Sequence, residues 1–407
     1  MRPIPQAAGI YLAVLQFVFA LGWTSYAFYL PKLAAAVGLS ATAVGLILML
    51  DQAIFTVTDF SMGIAADRVS RVLGRLGHWV AGITVVSCLA FVGLPFVAAG
   101  HLGAAPFLTM TVIWAITSSA LRAPPLMLLG KYAARPAIPY LGSLAMLGLG
   151  IASAVSPYLA ITLARQDPRL PFVIASVTLL LVSLALAKVE RSLAKQAPAV
   201  TEPLQTVDRA VPAPILIFGL AVVIFAFGFQ LHVFFNTAPL FKQFTSNLGG
   251  LLPVFWVGFS VGMFPASRIT KRWGGLPVMG AAGLLGAIAI VLMEISTTLG
   301  LSVAAQLVAG AAWGAILMSA FAAAAALGAT GHEGKTTGLM YSGLALATFA
   351  RMATSASGAL TDPALAPLVH WAPIACWGIG GALLVGLTAS YWRNMRTVQR
   401  TTRRFRN

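Results

Sequence analysis

Four ionisable residues stand inside long apolar runs: Asp51, Asp59, Arg122 and Arg351. A charge in hydrocarbon costs several kcal/mol unless it is paired or hydrated, so such residues mark ion paths, gates or internal ion pairs. Two acids and two bases sum to zero. The set can therefore balance as pairs that a proton or a charged solute rearranges, which is the chemistry of ion coupling and gating. Nothing in the chain offers bond-making chemistry: no Walker loop, no metal-spaced His/Cys cluster and no nucleophile beside a base. No enzyme, cofactor or metal is expected, and any transport would be driven by an ion gradient or by the solute's own gradient.

Spacing refines the roles. Gln52, Thr56, Asp59 and Gly63 recur at helical intervals and form one polar stripe on an apolar helix, and Tyr341, Thr348, Arg351 and Ser355 form another. Asp51 precedes Asp59 by eight residues. On a helix the two are about 12 Å apart and turned by about 80°, so they do not share a proton. Asp51 suits either a proton carrier or a carboxyl bonded to a neighbouring helix. Arg122 precedes Ala123-Pro124-Pro125, and the prolines free backbone groups and kink the helix there. Arg122 suits a partner for Asp59 or Asp51, or a contact for a solute anion.

These residues must be held by membrane-spanning helices. The chain has 407 residues, 59% hydrophobic and 9% charged, with mean hydropathy +0.89. Soluble domains carry about a quarter charged residues, so this composition excludes a soluble enzyme, a coiled coil, a disordered chain and a nucleic-acid-binding domain. Continuous apolar runs without alternation also exclude an outer-membrane barrel. The runs predict an all-α polytopic membrane protein with twelve spans near 8–30, 41–65, 78–98, 105–129, 139–163, 169–188, 214–237, 248–267, 276–297, 301–328, 336–358 and 369–392. The first is too long for a cleaved signal peptide. The segments are then an N-terminal six-helix bundle (1–188), a Pro-containing cytoplasmic linker (189–213), a C-terminal six-helix bundle (214–392) and a basic tail (393–407). Cys88 and Cys376 both lie in apolar runs and read as small buried hydrophobes.

The net charge of +16 is distributed as topology rather than as a nucleic-acid surface. With the N-terminus inside, the inner segments hold 20 Lys and Arg, six of them in the tail, and the outer segments hold 4. Both termini are therefore expected in the cytoplasm. The tail arginines suit anionic headgroups.

The two halves repeat. Phe19-Ala20-Leu21-Gly22-Trp23 matches Phe225-Ala226-Phe227-Gly228-Phe229, and Ala66-Asp67-Arg68-Val69-Ser70-Arg71 returns 200 residues later as Ala266-Ser267-Arg268-Ile269-Thr270-Lys271. A parallel six-plus-six repeat is an architecture of secondary transporters. Gly63-Ile64-Ala65-Ala66-Asp67-Arg68-Val69-Ser70-Arg71 resembles the loop 2–3 signature of the major facilitator superfamily, a glycine, three residues, Asp-Arg and a further basic residue. Asp59-Phe60-Ser61-Met62-Gly63, continued to Gly74-Arg75 and Trp79, also resembles the glycoside–pentoside–hexuronide:cation symporters, with Phe60 in place of the usual proline.

The superfamily resemblance implies a fold of two pseudo-symmetric six-helix bundles working by alternating access. It implies that spans 2 and 11 meet across the halves. In the symporter branch an acid at the Asp59 position helps bind the coupling cation and faces a basic residue in span 11, which here is Arg351. Asp59 and Arg351 are thus expected to pair and close the inner side. Asp67, with Gly63, Arg68 and Arg71, would gate at the inner end of span 2. Spans 1 and 7 usually line the cavity, so Gln16, Trp23, Tyr26, Phe229, Gln230, His232 and Asn236 are candidate solute contacts; a lone histidine such as His232 is more often a satisfied core residue than a proton carrier. The expected protein is a monomeric transporter of the cell (inner) membrane. It carries a small polar or organic solute, by symport with H+ or Na+. The alternative is proton-coupled export of amphipathic compounds.

Overall fold

The computed structural model describes residues 6–72, 76–133, 135–196, 212–329 and 331–404, and these form helices joined by short turns, with no strand among them. Twelve rods emerge: α1 (Gln6–Ala36), α2 (Ala41–Val72), α3 (Leu76–Ala99), α4 (Ala104–Tyr132), α5 (Ile138–Leu163), α6 (Arg169–Lys195), α7 (Pro214–Lys242), α8 (Val254–Trp273), α9 (Gly275–Glu294), α10 (Leu299–Leu327), α11 (Glu333–Ala356) and α12 (Ala366–Arg404). Among the described residues, ten are long and apolar enough to cross a membrane. The other two, α8 and α11, carry more charge: Arg268, Lys271 and Arg272 in the first, and Glu333, Lys335 and Arg351 in the second. The outer faces are apolar, as bilayer contact requires; Leu89 is 68% exposed and Leu216 72%.

Helices α1–α6 and α7–α12 form two bundles. They meet where α2 packs on α11, α5 packs on α8 and α10, and the end of α4 packs on α10 and α11. Because there is an even number of spans, α1 begins and α12 ends on the same side, here called the terminal face.

Several rods depart from regular helix. In α4 a 3-10 turn at Ser119–Leu121 separates the segments Ala104–Ser118 and Ala123–Tyr132. Prolines 124 and 125 stand at the start of the second segment and have no N–H for the carbonyls four residues back. In α7 a π turn spans His232–Asn236. In α6 the helix Arg169–Leu184 is followed by Leu186–Gln196. The helix thus runs eight residues into the stretch read as linker, while 197–211 lies outside the described residues. The α12 backbone continues through most of the stretch read as tail, to Arg404.

Candidate functional site

The broken helix α4 aims Arg122 at the seam between the bundles. With Pro125 unable to donate, the Leu121 carbonyl accepts instead from Nε2 of Gln16 at 3.3 Å. Arg122 follows at the cap of the second segment. Its Nη1 lies 3.2 Å from Oδ2 of Asp59, whose side chain is fully buried while that of Arg122 is 14% exposed. Neither Asp59 oxygen has a hydrogen-bond partner, so the contact is ionic. The guanidinium also sits 4.6 Å from the ring centre of Phe55 and 5.3 Å from that of Tyr341. Through Tyr341 an ion pair of the first bundle touches α11 of the second.

Asp59 therefore pairs with Arg122, not with Arg351. The reason is the register of two antiparallel helices. Asp67 meets Gly334, the Asp59 carbonyl lies 2.6 Å from where a Cβ of Gly338 would stand, the Ser342 hydroxyl donates to the Thr56 carbonyl, and Phe55 clusters with Ala345. Position numbers fall along α2 as they rise along α11. Asp59 lies level with Gly338, and Arg351 is thirteen residues further on, about 20 Å along the axis. Its level on α2 is that of about Leu46, beyond Asp51, which lies only about 12 Å from Asp59.

The crossing depends on glycine. A Cβ on Gly63 would collide with the Gly334 carbonyl, and one on Gly334 with that of Gly63. This close approach lets the Asp67 carboxylate accept from the backbone N–H groups of Gly334 (2.7 Å) and Lys335 (2.8 Å). A carboxylate on the first N–H groups of a helix satisfies orphan donors and the positive end of its dipole. Arg71 donates from Nε to the Asp67 carbonyl at 3.3 Å, and Arg68 is exposed.

Higher in α2, Asp51 is fully buried inside the first bundle. The Tyr26 hydroxyl donates to its Oδ2 at 2.8 Å, and Oδ1 has no partner. Tyr26 packs 4.4 Å from Trp114, and Trp23 bridges Tyr26 to Phe55 at 5.5 and 5.6 Å. In α7, Phe229 stacks on Trp313 at 4.4 Å. His232 is fully buried, with Nε2 2.8 Å from Oε1 of Gln306, and Nε2 of Gln306 donates to Thr237 at 3.1 Å. Asn236 donates to the His370 carbonyl at 2.8 Å, and the His370 ring meets Glu294 at 3.1 Å. These α7 groups join helices within the second bundle. Gln230 differs: Nε2 donates to the Thr348 hydroxyl at 2.9 Å, and Oε1 accepts from Nε of Arg351 at 3.0 Å.

Sequence reasoning missed two carboxylates near the terminal face. Glu190, assigned to the linker, accepts from the N–H groups of Leu76 (3.1 Å) and Gly77 (2.7 Å) and so caps α3 as Asp67 caps α11. Glu333 is buried at the start of α11, beside Gly130. The amphipathic spacing of 186–196 was the available signal for the first; none was available for the second.

A family model described as Major Facilitator Superfamily matches residues 12–351. No curated protein matches the chain in sequence. Among solved structures, a bacterial homologue of the iron transporter ferroportin, in an outward-facing state, superposes with a TM-score of 0.73 at 12% identity, covering 94% of this chain and 99% of that one. The human organic anion transporter MFSD10 (TETRAN) gives 0.69 at 15%, covering 95% and 99%. The transporter FucP in its outward conformation gives 0.63 at 13%, covering 95% and 98%.

Proposed function

The chain belongs to the Major Facilitator Superfamily of membrane transporters, and from that premise we propose that it is a proton-coupled symporter carrying a small organic solute by alternating access. The observation that carries the reading is the Asp59–Arg122 pair, buried at the seam and in contact with Tyr341 of the opposite bundle. Alternating access requires the α2–α11 contact to open. A proton on Asp59 cancels one member of the pair, frees Arg122 and loosens the seam at the point where it must part.

Two features support a proton over a sodium ion. The Asp59 charge is already matched by a fixed cation, which leaves no net negative site for a metal. A proton, by contrast, changes the pair by neutralising it. Asp67, seated on the start of α11, supports a latch that holds the terminal face closed. The excess of basic residues supports a cytoplasmic position for that face in a cell (inner) membrane, and the latch then supports a conformer closed on the cytoplasmic side. Both bundles belong to one chain, which supports a monomer as the working unit.

The test uses purified protein in vesicles that trap a pH-sensitive dye. Adding a transported solute outside should acidify the lumen, and Asp59→Asn should carry the same solute downhill without acidification. A solute that enters at an unchanged rate with no acidification, or only when sodium is present, refutes proton symport.

A further inference from the structure

Arg351 is a cation without a counter-charge. Among the described residues no carboxylate lies within ion-pair distance of it, whereas Arg122, Arg169 and His370 each have one. Among the described residues its Nε is engaged by Gln230, and neither terminal nitrogen has a hydrogen-bond partner. The side chain is half-buried, and its guanidinium lies 4.4 Å from the ring centre of Phe234, which is 55% exposed.

The direction in which it points decides between lipid and cavity. Tyr341, Thr348, Arg351 and Ser355 recur at helical intervals along one stripe of α11. Tyr341 on that stripe touches Arg122 of the other bundle, so the stripe faces the space between bundles. Leu346, 41% exposed, lies on the opposite side of α11 and faces the bilayer. Arg351 is turned about 80° from Tyr341 and about 140° from Leu346, which sets it nearer the inter-bundle side than the lipid side. Gln230 fixes its plane from α7, and Thr348 in turn fixes Gln230.

We infer that Arg351, oriented by Gln230 and Thr348, is a binding site for the carboxylate of a monoanionic organic solute. The free edge of the guanidinium presents two parallel N–H donors, the geometry that a planar carboxylate accepts in bidentate fashion. A single cation with neutral neighbours matches one negative charge rather than a dianion. The exposed Phe234 ring supplies apolar surface for the rest of the molecule. This inference rests on the reading of the inter-bundle space as the solute path.

The experiment measures equilibrium binding by ligand-induced stabilisation of the purified full chain in detergent, in one buffer and without a gradient. The probes are benzoate, phenylacetate, lactate and gluconate, each beside its primary amide. At least one carboxylate should stabilise the wild type and bind at least about tenfold more tightly than its amide, the factor that corresponds to about 1.4 kcal/mol. Arg351→Gln should erase the difference between acid and amide. Arg351→Lys, which keeps the charge but not the fork, should retain a smaller difference. Should Arg351→Gln fail to fold, Gln230→Leu reads out the same site, because it leaves the charge and removes its orientation. The inference is overturned if no acid binds, if acid and amide bind alike, or if acid binding survives unchanged in the folded variants. Because no proton gradient enters the measurement, a failure here leaves the proton-coupling test standing, and a failure there leaves this one standing.

Discussion

Breaking the Asp59–Arg122 pair from either side should give unequal losses. At 3.2 Å the Coulomb attraction of the two charges is about 5 kcal/mol at an effective dielectric of about 20. Removing one partner of a buried pair costs about 3–5 kcal/mol, because the other charge is left uncompensated. The two orphans are not equivalent. After Asp59→Asn, Arg122 keeps the faces of Phe55 and Tyr341 and a small exposed surface; such cation–π contacts return about 1–2 kcal/mol. After Arg122→Gln, Asp59 is fully buried with neither oxygen hydrogen-bonded. Arg122→Gln should therefore cost about 3–5 kcal/mol and Asp59→Asn about 2–3. The double variant should lose less than the sum by about 2 kcal/mol or more. Denaturant unfolding of the four purified proteins in one detergent gives the cycle. A coupling within about 0.5 kcal/mol of zero would mean that the pair holds nothing together. An Asp59→Asn/Arg351→Gln cycle supplies the control and should be additive, since their helical levels differ by about 20 Å.

Asp67→Asn retains one acceptor but loses a charge-assisted bond worth about 1.5 kcal/mol, so the conformer open at the terminal face should gain about tenfold in population. Faster maleimide labelling of Ser342→Cys, in a Cys88→Ala/Cys376→Ala background, checks this, and an unchanged labelling rate would remove the latch. Gly63→Val should raise the same labelling, because its side chain meets the Gly334 carbonyl. Gln16→Leu should destabilise the fold by about 1–3 kcal/mol by leaving the Leu121 carbonyl without a donor; an unchanged melting temperature would show that water replaces it.

The spans, the two-bundle repeat and the charged residues were legible because each is a property of one helix. Apolar length gives a span, and a polar stripe gives a face. What one helix cannot give is the depth at which a second crosses it. Asp59 and Arg351 both lie on stripes that face the seam, yet they sit at different levels. The glycines at 63, 334 and 338 set that level, and the Gly334/Gly338 spacing was the signal for it in the sequence. Gln16 was read as a solute contact because polar groups in spans usually line cavities. Its actual partner follows from Pro125, which removes the donor four residues beyond Leu121. His232 and Asn236 were read the same way, but the π turn of α7 delivers them to α10 and α12, and no local pattern announces that turn. The linker reading of 189–196 failed because prolines further on masked an amphipathic helical turn.

The levels also bear on how proton and solute would be tied together. In the proposed cycle an anion enters from the face opposite the latch and reaches Arg351 first. Arg351 stands about 20 Å along the axis from the level of Asp59, and Asp51 lies between those levels, inside the other bundle and held on one oxygen by Tyr26. Deeper in the seam, the Asp59–Arg122 pair and the Asp67 cap resist opening, and neutralisation of Asp59 releases them. Coupling in this scheme comes from two groups at two depths: Arg351 takes the anion, and Asp59 makes the terminal face open only after a proton has reached it.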